Sequence, residues 1–121
     1  DSKYIPSLSS EQMINAYDNT LVYLDGFLAS LIETLEQTKI PSVMIYISDH
    51  GEQLGEDGKW LHAQAGDAAK NPAYLMWFSQ DYQRQHPETL DYFKEAAKQK
   101  STTDRVFYDL LLISGLKYLP N

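Results

Sequence analysis

The chain has 121 residues, 43% of them hydrophobic, the size and make-up of one folded domain rather than a disordered segment. A formal charge of -7 leaves no basic stripe to neutralise phosphates, which argues against a nucleic-acid or anionic-membrane surface. The absence of cysteine excludes a disulfide framework, a thiolate nucleophile and a Cys-based metal site, so any metal must take oxygen and nitrogen ligands.

The opening "DSKYIPSLSS" is polar and lacks the apolar core of a signal peptide, and no apolar run reaches the ~18 residues of a membrane-spanning helix. The segment is expected to be soluble with no transmembrane span of its own, and such a start suits a chain continuous with a larger one. From Ile14, the residues Ile14, Tyr17, Leu21, Leu24, Leu28, Leu31 and Leu35 recur at three- and four-residue steps, predicting one long amphipathic helix. Ser9 and Gln12 form a candidate capping box, and Lys39-Ile40-Pro41 gives a basic end and a stop, placing the helix at about 10–38.

"SVMIYIS", Ser42 to Ser48, is continuously apolar, as in a central strand of a parallel sheet covered on both faces. Asp49 to Pro72 is glycine-punctuated and polar, a long loop with one short helical turn, and loops of this length in compact domains are usually functional. "AYLMWFS", Ala73 to Ser79, reads as a second buried strand. "PETLDYFKEAAKQK", with Pro87 in its first turn, reads as a helix. Thr102 or Thr103 can cap a last helix, Asp104 to about Leu116, with Val106, Phe107, Leu110, Leu111 and Ile113 turned inward. The order is α/β, and two buried strands do not cover themselves, so the sheet needs strands from elsewhere.

Asp49 and His50 directly follow the first strand, at the carboxyl end where open α/β sheets bind ligands. A carboxylate oxygen and an imidazole nitrogen suit zinc, and Gly51 lets the backbone turn so that the two converge, although a zinc site needs further ligands. The same pair also suits a turn cap, and spacing alone leaves both readings open. His62, beyond the glycines, can bind a phosphate oxygen, protonate a leaving group or ligate a metal, or be merely structural. Glu52 and Glu56 read as solvated, capping or supporting groups, His86 as surface, and Trp60, Tyr74, Trp77 and Phe78 as core. Asp18 and Asp25 belong to the wet face of the first helix.

"SDHGEQLGEDGKWLH" resembles the zinc-site motif of bacterial phosphoethanolamine transferases, members of the sulfatase and alkaline-phosphatase-like superfamily. "INAYDNTLVYLDGFLASLIETL" resembles the helix that precedes it there. The resemblance covers residues 14 to 79 well and "TTDRVFYDLLLISGL" loosely, with Thr103-Asp104-Arg105 where many relatives carry a histidine before the aspartate. It implies that residues 1–121 are a single segment, the C-terminal portion of an alkaline-phosphatase-like (sulfatase-like) three-layer α/β/α catalytic domain that is incomplete on its own. It further implies Asp49 and His50 as zinc ligands and His62 as the catalytic contact to the phosphoryl group or a second metal. A threonine nucleophile and an acidic ligand would come from the upstream remainder of the enzyme, without which this chain is inactive. The implied reaction moves phosphoethanolamine from a phospholipid donor to an envelope glycolipid acceptor, lipid A or lipooligosaccharide core, with Zn2+ as cofactor. The implied place is the periplasmic face of the bacterial inner membrane, where the parent is anchored. The alternatives are another sulfatase-superfamily hydrolase, a phosphoglycerol transferase, or a non-catalytic interaction domain.

Overall fold

A computed structural model describes residues 9–55, 58–61 and 66–116. Helix α1, Ser10–Thr38, begins where the capping box forms: the Ser9 hydroxyl accepts the Gln12 N–H at 3.2 Å, and the Ser9 N–H donates to Gln12 Oε1 at 2.8 Å. It ends at Lys39 in the left-handed conformation, φ 56°, two residues before Pro41. Ile14, Tyr17, Leu24, Leu28, Ile32 and Leu35 form its half-buried stripe. Leu21 and Leu31, expected within that stripe, are more exposed at 45% and 39%, and Asp18 and Asp25 lie in the open as expected. No helix among the described residues is long and apolar enough to cross a membrane.

Strands β1, Val43–Ile47, and β2, Tyr74–Phe78, form a two-stranded sheet in which Val43 faces Phe78 and Ile47 faces Tyr74. The pairing is antiparallel, a correction to the parallel sheet expected around the first strand. The reversal is set at the two ends by serines. At one, Ser48 N–H donates to Ala73 O at 3.0 Å while the Ser48 hydroxyl accepts the Ala73 N–H at 2.8 Å. At the other, Ser79 N–H donates to Ser42 O and the Ser79 hydroxyl accepts the Ser42 N–H, both at 2.9 Å. Nor are the strands covered on both faces as expected: most of their residues are half-buried, and Ile47 and Leu75 are 39% and 44% exposed.

The core lies on one face of this sheet. Phe78, Tyr82 and Phe93 are buried together, with Val43, Met76, Leu90 and Ile113 packed against them. Tyr82 comes from α2, Gln80–Gln85, a short helix absent from the sequence reading, whose start is capped by the Ser79 hydroxyl accepting the Tyr82 N–H. Phe93 comes from α3, Pro87–Ala96, with Pro87 in its first turn as expected. Among the described residues this core is small, and a lone strand pair is marginal in water. The described residues therefore form an incomplete α/β domain.

Helix α4, Arg105–Ile113, is shorter than expected and has no side-chain cap bond; the Thr102 hydroxyl instead donates to the Asp104 carboxylate. Phe107 and Leu110, expected inward, are 55% and 51% exposed. Val106, Leu111 and Ile113 are half-buried as expected, and the most buried residue of the helix is Asp109, only 2% exposed, which takes two bonds from Arg105: Nε to Oδ2 at 2.8 Å and Nη2 to Oδ1 at 3.1 Å. The Tyr74 hydroxyl adds a third at 3.0 Å, so one buried carboxylate ties α4 to the first residue of β2. Removing the carboxylate strands a largely covered guanidinium, so Asp109→Ala should lower stability by about 3 kcal/mol in chemical denaturation. Burial, and then the hydrogen bond to Asp109 and its charge, push the Tyr74 phenol from 10.0 up to about 12. A raised folded-state value means that this contribution is complete below pH 10 and lost as pH rises from 10 to 12. Tyr74→Phe should flatten the alkaline fall in stability over that window.

Candidate functional site

Asp49 and His50 occupy the turn one residue beyond the Ser48 clip, at the carboxyl end of β1. The turn is docked on the returning chain, where a 3-10 turn, Ala68–Lys70, precedes β2. Gly51 N–H donates to Ala69 O at 3.0 Å. A side chain at residue 51 has nowhere to go: its Cβ would overlap the Ala68 carbonyl oxygen and lie 2.9 Å from that of Asn71. Glycine is needed here for close approach of two backbones rather than for an unusual φ.

The Asp49 side chain is 91% exposed and that of His50 40%. Asp49 Oδ1 accepts the His50 backbone N–H at 3.1 Å, and Asp49 Oδ2 lies 3.8 Å from His50 Nε2. His50 Nδ1 lies 2.8 Å from Gly51 O. A carbonyl oxygen only accepts, so Nδ1 carries the proton and the neutral ring holds its lone pair on Nε2. The Gly51 carbonyl raises the His50 pKa above 6.5, desolvation opposes it, and the Asp49 and Glu52 carboxylates add to the rise.

These features suit a metal-ligating pair. An imidazole whose second nitrogen donates to a backbone carbonyl is the usual arrangement of a ligating histidine. The 3.8 Å separation puts an imidazole nitrogen and a carboxylate oxygen, donor types that zinc takes, side by side on the turn. Among the described residues no group of three or more His, Cys, Asp or Glu is placed to hold a metal. The turn offers two candidate ligands.

His62 and Glu56 lie outside the described residues. Before His62 in the chain, Leu54 forms an antiparallel bridge with Trp60 and Gly55 N–H donates to Lys59 O at 2.9 Å. Trp60 covers Gly55, whose φ is 106° and where an added Cβ would sit 2.7 Å from the indole, in keeping with a packing role. Tyr74 and Trp77 are half-buried and Phe78 buried, also as packing residues; Glu52 is half-buried, and His86 is exposed with its ring 4.5 Å from that of Tyr82. Two features escaped the sequence reading: the buried Gln53, 2% exposed, and the Tyr74–Asp109–Arg105 network. The i,i+4 spacing of Arg105 and Asp109 was a usable signal for the second; Gln53 had none.

Two outcomes follow from this geometry. Long-range 1H–15N spectra should show neutral His50 as the Nδ1–H tautomer. Gly51→Ala should cost about 1–3 kcal/mol in denaturation, the usual penalty of forcing atoms into filled space.

The sulfatase family model matches residues 1–115. The phosphoethanolamine transferase EptA of Escherichia coli is 38% identical over 124 aligned residues, which cover 97% of this chain and 23% of the relative. The soluble domain of lipooligosaccharide phosphoethanolamine transferase A from Neisseria meningitidis superposes with a TM-score of 0.72 at 32% identity, covering 92% of this chain and 37% of that one. The C-terminal periplasmic domain of phosphoethanolamine transferase EptC from Campylobacter jejuni gives 0.74 at 32% identity, covering 95% and 40%. The chain therefore spans about a quarter of the length of the curated relative, and its fold is part of the alkaline-phosphatase-like domain of these enzymes. With the family match running through residues 1–115, the chain belongs to the sulfatase family, and its relatives there are phosphoethanolamine transferases.

Proposed function

We propose that residues 1–121 are one segment, the C-terminal portion of the catalytic domain of a zinc-dependent phosphoethanolamine transferase. The donor is a phospholipid, the acceptor is an envelope glycolipid such as lipid A or lipooligosaccharide core, and the site faces the periplasm from a membrane-anchored parent. The observation that carries this reading is the Asp49-His50 turn, docked through Gly51 and oriented by the Nδ1–Gly51 bond. The names of the relatives supply the transferred group, the lipooligosaccharide acceptor and the periplasmic setting.

Asp49 and His50 would hold the zinc, through a carboxylate oxygen and through Nε2. Bound zinc polarises a phosphoryl oxygen and lowers the pKa of a hydroxyl nucleophile. The Gly51 carbonyl keeps the His50 proton on Nδ1, so the ring presents the same nitrogen throughout. His62 supplies an imidazole that contacts the phosphoryl group and delivers a proton to the departing oxygen. The threonine nucleophile and the acidic zinc ligand come from the enzyme upstream of this segment, so the 121-residue chain by itself does not turn over substrate.

In the enzyme comprising this chain and its upstream remainder, Asp49→Ala with His50→Ala should remove bound zinc and lower transfer more than about 100-fold, beyond the usual loss for an outer-sphere group. Retention of both zinc and transfer in that double variant would favour a non-catalytic domain, and turnover by the isolated chain would overturn the divided site. Since protons compete with zinc for a histidine held above 6.5, zinc affinity should keep climbing as pH rises past that value, and His50→Ala should remove this dependence.

A further inference from the structure

The face of β2 that carries the alternate residues Tyr74, Met76 and Phe78 is only partly covered, and a cavity of about 550 Å3 opens over it. Leu90, Phe93, Lys94 and Ala97 wall it on one side. Their spacing puts them on one face of α3, and Ala97 is too small to fill the space before it. The other wall is the connection into α4, where Arg105 Nη1 donates to Ser101 Oγ at 3.3 Å. At Pro72, Tyr74, Ser101 and Arg105 this cavity adjoins a second, of about 280 Å3. The second is lined further by the polar residues Lys70, Asn71, Thr102 and Thr103.

The larger cavity has the size of a small-molecule site, apolar with a few polar groups at one end. The polar end lies toward the metal-binding turn: Ile47, which also lines it, is two residues before Asp49, and Lys70 follows Ala69, whose carbonyl accepts the Gly51 N–H. Its charge runs against that of the chain. With 17 acidic and 10 basic residues in the sequence, the described residues lining the two cavities include Lys70, Lys94 and Arg105 and no carboxylate. Asp109 offsets Arg105, and Asp91 stands 3.8 Å from Lys94, so Lys70 supplies the cationic excess. Arg105 uses three of its five N–H groups on Asp109 and Ser101, which leaves two for a ligand. An apolar trough that ends in donors and a cation complements an acyl chain that ends in a phosphate. We propose that this groove takes one acyl chain of the phospholipid donor, laid along Met76, Leu90 and Phe93, with the glycerol phosphate at Lys70, Thr102 and Thr103 and so directed at the Asp49-His50 turn. This rests on the transferase reading above and names where its lipid substrate lies.

The test compares donors of different chain length in the full-length enzyme. Ala97→Trp fills the apolar half and should raise KM for dipalmitoyl phosphatidylethanolamine about 10-fold or more, because a tail of many methylenes loses its place. Transfer from the dihexanoyl donor should change less than about 3-fold, as for a substitution that touches nothing the substrate needs. Lys70→Ala should raise KM for both donors about 10-fold at unchanged zinc content, the usual worth of a charged hydrogen bond. A donor with a diazirine at the end of its tail should, on irradiation of the wild-type enzyme, label Met76, Leu90 or Phe93, a readout independent of how the variants fold. Absence of label on those residues would overturn the proposal, and is the result expected if the upstream remainder of the enzyme fills the groove. Equal losses on the two donors in Ala97→Trp, no loss on the long one, or a loss that follows the acyl length of the acceptor would overturn it as well. An unchanged KM in Lys70→Ala would overturn the placement of the phosphate. The transferase reading is scored separately: an intact enzyme that takes the label but moves no phosphoethanolamine would sink that reading and leave the groove standing.

Discussion

The antiparallel pairing of Val43–Ile47 with Tyr74–Phe78 is the constraint from which the remaining geometry follows. Because the second strand runs back beside the first, its entry lies next to the first strand's exit, and the Ser48–Ala73 clip closes that junction with two hydrogen bonds. The 3-10 turn before β2 is thereby delivered beneath the Asp49-His50 turn, close enough for Gly51 to bond Ala69. At the opposite end, the Ser79 hydroxyl receives both the Ser42 N–H and the Tyr82 N–H, so strand pairing and the start of α2 share one oxygen. The aromatic core of Phe78, Tyr82 and Phe93 is built directly on that junction.

What the sequence displayed well was local and periodic. The long first helix was legible to the residue because Ser9 and Gln12 cap it and Pro41 follows it, and each strand was placed within one residue of its observed ends. Strand direction was hidden, since apolar continuity has no sign. Helix α2 was hidden because its sequence, "QDYQRQ", is polar apart from Tyr82, and only the Ser79 cap gives it a start. The inward face of α4 was legible at Val106, Leu111 and Ile113 but misread at Phe107 and Leu110, because a carboxylate satisfied by three donors took the most buried position.

The candidate site was legible in a different way. Asp49 and His50 announced themselves by chemistry and by their place after a strand, but the features that make the pair serviceable are backbone matters. The carbonyl that sets the imidazole tautomer belongs to Gly51, and the space that lets the turn dock exists because residue 51 has no side chain. The first is a matter of local backbone geometry that residue types do not reveal, and the second could not be seen without the returning segment 66–71. A two-residue motif carries little meaning in isolation and gains it from the family around it.

The Arg105–Asp109 pair has an evolutionary corollary. Both members lie on one helical face and complete each other four residues apart, with Tyr74 reaching the same carboxylate from the neighbouring strand. Loss of either charge alone leaves the other covered and uncompensated, whereas replacing both by apolar groups of similar volume can be close to neutral. Descendants of this sequence should therefore cross between the ionic and the apolar solution by paired replacement at 105 and 109. Tyr74→Phe is a permissive first step, because it withdraws a donor from the carboxylate before the carboxylate itself is given up.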